Sequence, residues 1–202
     1  PKVRPGTGAG FAGLNEDLWK FGIPPVCVSD GPSGLRMDNG DKANCLPCGT
    51  MIACTFNPEL TEDIYTLLGM EIYPHKVDAL LGPGINIHRM PLCGRNFEYL
   101  SEDPYIAGVI GGAMCDGIYS AGLTGVIKHF AANNREANRN HANSLVSERA
   151  LREIYLKPFE MIVKNNNVRM LMTAYNSLNG HFCSANYDLV TTILHNEWGF
   201  SG

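Results

Sequence analysis

At 202 residues, 45% hydrophobic and 18% charged, the chain has the composition of an ordinary soluble α/β protein with one sizeable core, which excludes a disordered chain. Sixteen Lys and Arg against 20 Asp and Glu leave a net charge of −4 with no basic run, so neither nucleic acid nor an anionic membrane surface is an obvious partner. No apolar run approaches the roughly 20 residues of a membrane helix and no signal peptide opens the sequence, although a start at Pro1 leaves room for an upstream leader or domain.

Residues 1 to 20 are Gly-rich and irregular, and Pro25 to Ser29 is a β-rich run that ends in Asp30-Gly31-Pro32. Asn57 caps a helix that carries Pro58 and Glu59 in its first turn, with Leu60, Ile64, Leu67 and Leu68 along one face, and Pro74 stops it. Val77 to Leu81 reads as a buried strand interrupted only by Asp78, running into Gly82-Pro83-Gly84. Asp103 and Pro104 open a second helix, with Ile106, Val109, Ile110, Ala113, Met114 and Ile118 apolar and Gly122 closing it. Thr124 to Phe130 is the next strand. A third helix is predicted from about Ser147 to Lys164, with Leu151, Ile154, Tyr155, Ile162 and Val163 inward and a bend at Pro158. Val168 to Ala174 is a fourth strand, and a last helix starts at Asn186 and runs through Leu189, Ile193 and Leu194 to Trp198.

Strands separated by helices in strict alternation specify a parallel sheet, either doubly wound or a closed (β/α)8 barrel. No glycine-rich nucleotide fingerprint follows the first strand. Polar residues fall at the carboxyl ends of the strands, at Asp30, the 86–89 loop, Lys128-His129 and the 173–176 segment, and that end is where barrels build their sites. A complete barrel takes about 250 residues. The fold class is therefore α/β, an incomplete (β/α)8 TIM-type barrel, covering roughly the first five or six βα units.

Seven cysteines, an odd number set among apolar neighbours, read as free thiols in a reducing, cytoplasmic setting. Cys45 and Cys48 form one CxxC pair, which without a second pair or a His motif cannot complete a tetrahedral zinc site. The polar stretch from Asn133 to Ser144 reads either as a solvated surface loop or as a loop lying over the site, since it follows directly from Lys128-His129.

Asp30 and Arg36 lie six residues apart in a Gly- and Pro-rich turn, Arg95 sits behind Cys93-Gly94, and Lys128 and His129 end an apolar strand. Charges at strand ends need a polar partner, because burial without one is costly. A sugar suits such a ring, since each hydroxyl both donates and accepts and can face carboxylate, guanidinium and ammonium in turn. Tyr175 adds an apolar face for the C–H side of a sugar ring. A phosphorylated substrate would call for a basic set without Asp30, and an aldolase with Lys128 as Schiff base would call for a more apolar surround.

The stretches SDGPSGLRMD (29–38), GPGINIHRMPLCGRNFEYLSEDP (82–104), VIKHFAANNREANR (126–139), SERALREIYLKPFE (147–160), MTAYNSLNG (172–180) and ILHNEWGFSG (193–202) resemble the catalytic barrel of glycoside hydrolase family 3, in its β-glucosidase branch. The six motifs occur in order over nearly the whole chain. The β-N-acetylglucosaminidase branch carries Pro-Gly-His-Gly after its Lys-His-Phe, where this chain has residues 131–134 as Ala-Ala-Asn-Asn. The resemblance implies that Asp30 and Arg36 bind hydroxyls of the terminal non-reducing sugar of a β-glucoside or small oligosaccharide. Arg95, Lys128, His129 and Arg139 would complete the pocket, and Tyr175 would lie beside the nucleophile. It further implies a retaining double displacement with no metal or organic cofactor. The resemblance places the nucleophilic aspartate shortly after Gly202 and the acid/base residue in a sandwich domain, and so implies as partners the remainder of the barrel and that domain, on this chain or on a separate one. Glu98, Glu102 and Asp103 are read as a helix cap and structural ion pairs. The competing function class is a non-catalytic sugar-binding chain that lacks the nucleophile.

Overall fold

The computed structural model describes residues 20–22, 26–37 and 41–202. The irregular segment expected over residues 1 to 20, apart from Lys20, and the strand start at Pro25 fall outside them. The central sheet is four-stranded, in the order β1-β2-β3-β5, where β1 is Val28–Asp30, β2 Ala79–Leu81, β3 Thr124–Phe130 and β5 Met170–Thr173. All its neighbours are parallel, with Val28 opposite Ala79, Ala79 opposite Thr124 and Val126 opposite Met170. These are the four strands read from the sequence. They form an open α/β sheet of barrel type, four strands among the described residues of the five or six units expected.

Each strand is placed by an identifiable local device. The Asp78 carboxylate accepts the Cys27 amide at 2.7 Å, which explains an acid at the mouth of an otherwise apolar strand. In β3, every residue from Gly125 to Phe130 is buried, as the inner strand of a helix-covered parallel sheet must be. The β3–β5 register runs Lys128 to Met172 and then Phe130 to Thr173, so His129 is an extra residue in the ladder. A bulge of this kind re-aims side chains. Here it lets the consecutive Lys128 and His129 both serve the carboxyl end of the sheet.

The first helix, α1 (Gly49–Ala53), was not anticipated. Helix α2 (Pro58–Ile72) starts as predicted, with the Asn57 side chain accepting the Leu60 amide at 2.9 Å and Pro58 in the first turn. Its buried face differs from the expected one. Thr61, Tyr65, Leu68 and Ile72 point inward, while Leu60 and Leu67 are exposed. Tyr65 can be buried because its hydroxyl donates to the Pro32 carbonyl, which also ties α2 to the loop after β1. Helix α3 (Pro104–Ser120) is capped by Asp103, whose Oδ1 accepts the Tyr105 amide at 2.7 Å and the Ile106 amide at 3.4 Å. It packs between α2 and the helix after β3, so it is buried almost all round, with Ala107, Ile110, Met114 and Ile118 inside.

The long third helix is three pieces: α4 (Glu148–Ala150), a wide turn over Leu151–Tyr155, and α5 (Lys157–Asn165). In the wide turn the Leu156 amide reaches back five residues to Leu151 at 2.8 Å. That extra residue brings Leu156, Phe159 and Ile162 inward and leaves Ile154 39% exposed, which corrects its assignment to the core. Pro158 falls in the first turn of α5, where its missing amide costs no helical bond. The last helix, α6 (Asp188–Glu197), is also wide-turned, and Asn186 accepts the Leu189 amide at its start at 3.1 Å. Its neighbour Trp198 stacks edge-on against Phe130, and Phe130 against Phe159, with ring centroids 5.9 and 5.2 Å apart, so α5 and the α6 end close over β3.

A second, three-stranded sheet joins β4 (Asn143–Ser144), β6 (Ser177–Leu178) and β7 (His181–Phe182). Strands β6 and β7 form a hairpin whose turn is Asn179-Gly180, both at positive φ (49° and 94°). The Asn179 side chain bonds both the amide and the carbonyl of Val146 at 2.9 Å. The end of the polar stretch from Asn133 to Ser144 is thereby pinned to the hairpin.

Candidate functional site

Three loops at the carboxyl ends of β1, β2 and β3 converge. The β1 loop turns on Gly31, at φ 143°, where any Cβ would meet the Gly34 carbonyl oxygen at 2.1 Å. This folds the chain so that the Arg36 amide returns to the Asp30 carbonyl at 3.0 Å, and the Arg36 guanidinium stands 3.9 Å from the Asp30 carboxylate. The β2 loop is anchored by α1: the Thr50 hydroxyl donates to the Asn96 carbonyl at 2.7 Å and to the Tyr99 carbonyl at 2.9 Å. It carries Arg95 and Glu98. The β3 loop carries Glu136 and Arg139.

The side chains form one line of alternating charge. Lys128 Nζ lies 3.4 Å from Asp30 and 3.8 Å from Glu98. Glu98 is bonded to Arg95 Nε. Arg95 approaches Glu136 at 4.0 Å, and Glu136 accepts from Arg139 at 2.9 Å. The Arg139 guanidinium then lies over the Tyr175 ring, 5.0 Å from its centre. Asp30, Arg36, Arg95, Lys128, Arg139 and Tyr175 are thus brought together as a connected set. The two carboxylates between the cations, Glu98 and Glu136, complete it. Glu136 had no sequence signal, since nothing in its surroundings distinguishes it from other loop acids. Glu98 is the structural ion-pair partner that the sequence suggested, Asp103 is the helix cap, and Glu102 is exposed.

His129 is held beside this line. Asn86 Nδ2 donates to its carbonyl at 2.9 Å, and Asn86 Oδ1 accepts its amide at 2.8 Å and faces its Nδ1 at 3.2 Å. The Tyr99 hydroxyl is 3.3 Å from the same nitrogen and accepts from Asn133 Nδ2 at 3.0 Å. Asn86, Tyr99 and Asn133 are buried polar residues; the sequence places Asn86 and Asn133 in polar loops at the strand ends without giving them a role, and Tyr99 is not singled out there. Their signal was a polar side chain next to an apolar strand, visible at Asn86 and Asn133 but too common to single out.

The electrostatics follow from burial. Desolvation lowers the Lys128 pKa, and Glu98 and Asp30 push back. A Schiff-base lysine needs an apolar or cationic surround. An amine held between two carboxylates is instead a charged hydrogen-bond donor. For Arg95, burial pulls the pKa down, but the bond and charge of Glu98, with Glu136, raise it overall. Burial, reinforced by Arg95, Lys128 and Arg139, pulls His129 down to about 2, so the imidazole is neutral. Burial likewise raises the Tyr99 hydroxyl pKa, and it stays protonated.

The arrangement is a donor and acceptor surface with exposed edges: the Asp30 side chain is 30% and Tyr175 51% exposed. A separate cavity of about 550 Å³, between the 87–89 loop, the start of α3 and Tyr155, contains none of these residues. Among the described residues, no group of three or more His, Cys, Asp or Glu could hold a metal ion, and no helix is long and apolar enough to cross a membrane. Cys45 and Cys48 are free thiols on the loop leading into α1.

Residues 14–202 match the family model for the glycosyl hydrolase family 3 N terminal domain. A β-glucosidase from Ruminococcus albus is 54% identical over the whole chain, which covers 21% of that protein. Among solved structures, a β-glucosidase from Paenibacillus barengoltzii superposes with a TM-score of 0.96 at 54% identity, all of this chain against 22% of that one. β-Glucosidase 3B from Thermotoga neapolitana, in complex with glucose, gives a TM-score of 0.91 at 42% identity, covering all of this chain and 28% of the other. The chain therefore spans between about a fifth and somewhat over a quarter of the length of these relatives.

Proposed function

The chain belongs to glycosyl hydrolase family 3, and on that premise we propose that its charged strand ends form the sugar-binding part of an exo-acting, retaining β-glucosidase that releases a terminal non-reducing glucose. The observation that carries this reading is the alternating line from Arg36 through Asp30, Lys128, Glu98, Arg95 and Glu136 to Arg139. Adjacent hydroxyls of a pyranose need donors and acceptors in alternation, and this line supplies them. Asp30 is the acceptor with capacity to spare. Its two cationic contacts are long, 3.4 and 3.9 Å, so its oxygens retain lone pairs for hydroxyls. Lys128, Arg95 and Arg139 donate, His129 stands between them, and Tyr175 offers a ring face.

In the double displacement that this reading entails, one carboxylate attacks the anomeric carbon and a carboxylic acid protonates the leaving oxygen; water then releases the glycosyl enzyme. Glu98 and Glu136 are each held by two cations, which suits positioning and not attack. The bond-breaking carboxylates are accordingly assigned to residues outside these 202, in the rest of the barrel and a sandwich domain. No metal or organic cofactor enters the reaction.

The test is a chimaera in which these 202 residues replace the equivalent stretch of the 54% identical Ruminococcus albus enzyme. It should hydrolyse an aryl β-glucoside. Asp30→Ala should lower kcat/KM by about 10- to 100-fold, the worth of a charged hydrogen bond of ~1.5–3 kcal/mol. An unchanged kcat/KM removes Asp30 from the sugar site, and turnover by the isolated 202-residue chain overturns the placement of the catalytic carboxylates.

A further inference from the structure

The amide of Asn86 is oriented by partners that leave it no choice. A main-chain amide only donates and a main-chain carbonyl only accepts, so the 2.8 Å contact to the His129 amide must be made by Oδ1 and the 2.9 Å contact to its carbonyl by Nδ2. The oxygen that faces His129 Nδ1 at 3.2 Å therefore carries no proton. A favourable contact requires the proton on Nδ1. The Tyr99 hydroxyl, 3.3 Å from Nδ1, accepts from Asn133 Nδ2 at 3.0 Å and has the Asn133 carbonyl as an acceptor for its own proton at the same 3.3 Å, so it does not require a bare Nδ1.

The other ring nitrogen, Nε2, forms no hydrogen bond with any described residue, in a residue only 2% exposed. The charges that face the ring are the cations Arg95, Lys128 and Arg139, which oppose a second proton. Tyr99, the other titratable group in contact with it, stays neutral. Resting on the sugar-site reading above, we propose that Asn86 is a positioning residue that locks His129 as the neutral Nδ1–H tautomer, making Nε2 a dedicated acceptor for a free sugar hydroxyl. The position facing Nε2 then admits neutral sugars with a donor hydroxyl. It excludes analogues that cannot donate there, such as deoxyfluoro or O-methyl sugars, and those with a carboxylate or phosphate group.

Histidine ¹⁵N NMR on the 202-residue chain tests the tautomer without any sugar. The His129 signals are identified by their loss in His129→Gln. The expected result is a pyrrole-type Nδ1 and a pyridine-type Nε2 that do not change between about pH 5 and 8. A protonated Nε2, or titration near the usual pKa of about 6.5, overturns the proposal. Asn86→Asp keeps the shape but places a carboxylate beside Nδ1, and should raise the His129 titration; Asn86→Ala should release the tautomer. An unchanged tautomer and titration in both variants removes Asn86 from the role. In the chimaera, inhibition constants for glucose and its four monodeoxyfluoro analogues should show one position with about a tenfold or greater penalty that shrinks in His129→Gln. The same penalty pattern in both proteins refutes the acceptor assignment. A chimaera that binds no glucose at all refutes the sugar-site reading while leaving the tautomer result standing.

Discussion

Lys128 shows how a buried charge is made tolerable at the end of a strand. Its side chain is only 4% exposed, and an isolated ammonium there would be expelled or neutralised; Glu98 and Asp30 oppose the desolvation that lowers its pKa. Glu98 is the shared member, since it also binds Arg95, so removing its charge strands two cations at once. Glu98→Gln should therefore cost about 3–5 kcal/mol, as breaking a buried pair does, read as a lower denaturant midpoint. The exposed neighbour Glu102→Gln should stay within about 0.5 kcal/mol. Equal midpoints for the two variants would mean that the charge line contributes nothing to the fold. Lys128 was legible because charge at the end of an apolar run is conspicuous, and Arg36 and Arg95 because they stand beside Gly- and Pro-rich turns, whereas Arg139 followed only from the family resemblance. Glu136 was not legible, because its neighbour Arg139 makes only a local pair three residues on, and the second partner, Arg95, comes from a different loop that folding brings near.

At the level of elements, legibility followed the strength of the local signal. Buried parallel strands read directly as apolar runs, and the caps at Asn57, Asp103 and Asn186 fixed where helices begin. The inward face of α2 is not the leucine face that the sequence suggests: its phase is set by Thr61, Tyr65, Leu68 and Ile72, in which a threonine and a tyrosine carry the buried stripe. The wide turn at Leu151–Tyr155 was invisible because a one-residue insertion shifts the helical phase without a Gly or Pro marking the spot. The hairpin of β6 and β7 had a signal, Asn179-Gly180 between two short runs, that was absorbed into a longer motif. The caps and the turn can be weighed separately. Asp103→Ala leaves the first amides of α3 without an acceptor and should lower stability by about 1 kcal/mol. Gly180→Ala places a Cβ at φ 94° and should lose a similar amount, about 1 kcal/mol or more, by thermal melting. If Gly180→Ala melts at the wild-type temperature, the hairpin is not what holds the end of the 133–146 segment in place.

For the molecule as a whole, the site is paid for in stability, and pH exposes the amount. His129 has a folded-state pKa of about 2, far below its ordinary value of 6.5, because burial and three neighbouring cations disfavour the imidazolium. Between those two values the unfolded chain binds a proton at this residue that the folded chain does not. Stability then rises with pH through that window, is fully present above about 6.5, and is lost as pH falls toward 2. The limiting slope for one proton is about 1.4 kcal/mol per pH unit. Acid also protonates the carboxylates of the charge line, so total acid sensitivity does not isolate the histidine; a difference between two proteins does. Denaturant unfolding of the wild-type chain and of His129→Gln at a series of pH values from about 7 down to 4.5 should therefore diverge. The wild type should lose more than the variant by up to that slope below 6.5, while above 7 the two curves should run parallel. Parallel curves throughout would mean that His129 takes up its proton in the folded state at an ordinary pKa, and the neutral acceptor at the centre of the site would have to be abandoned.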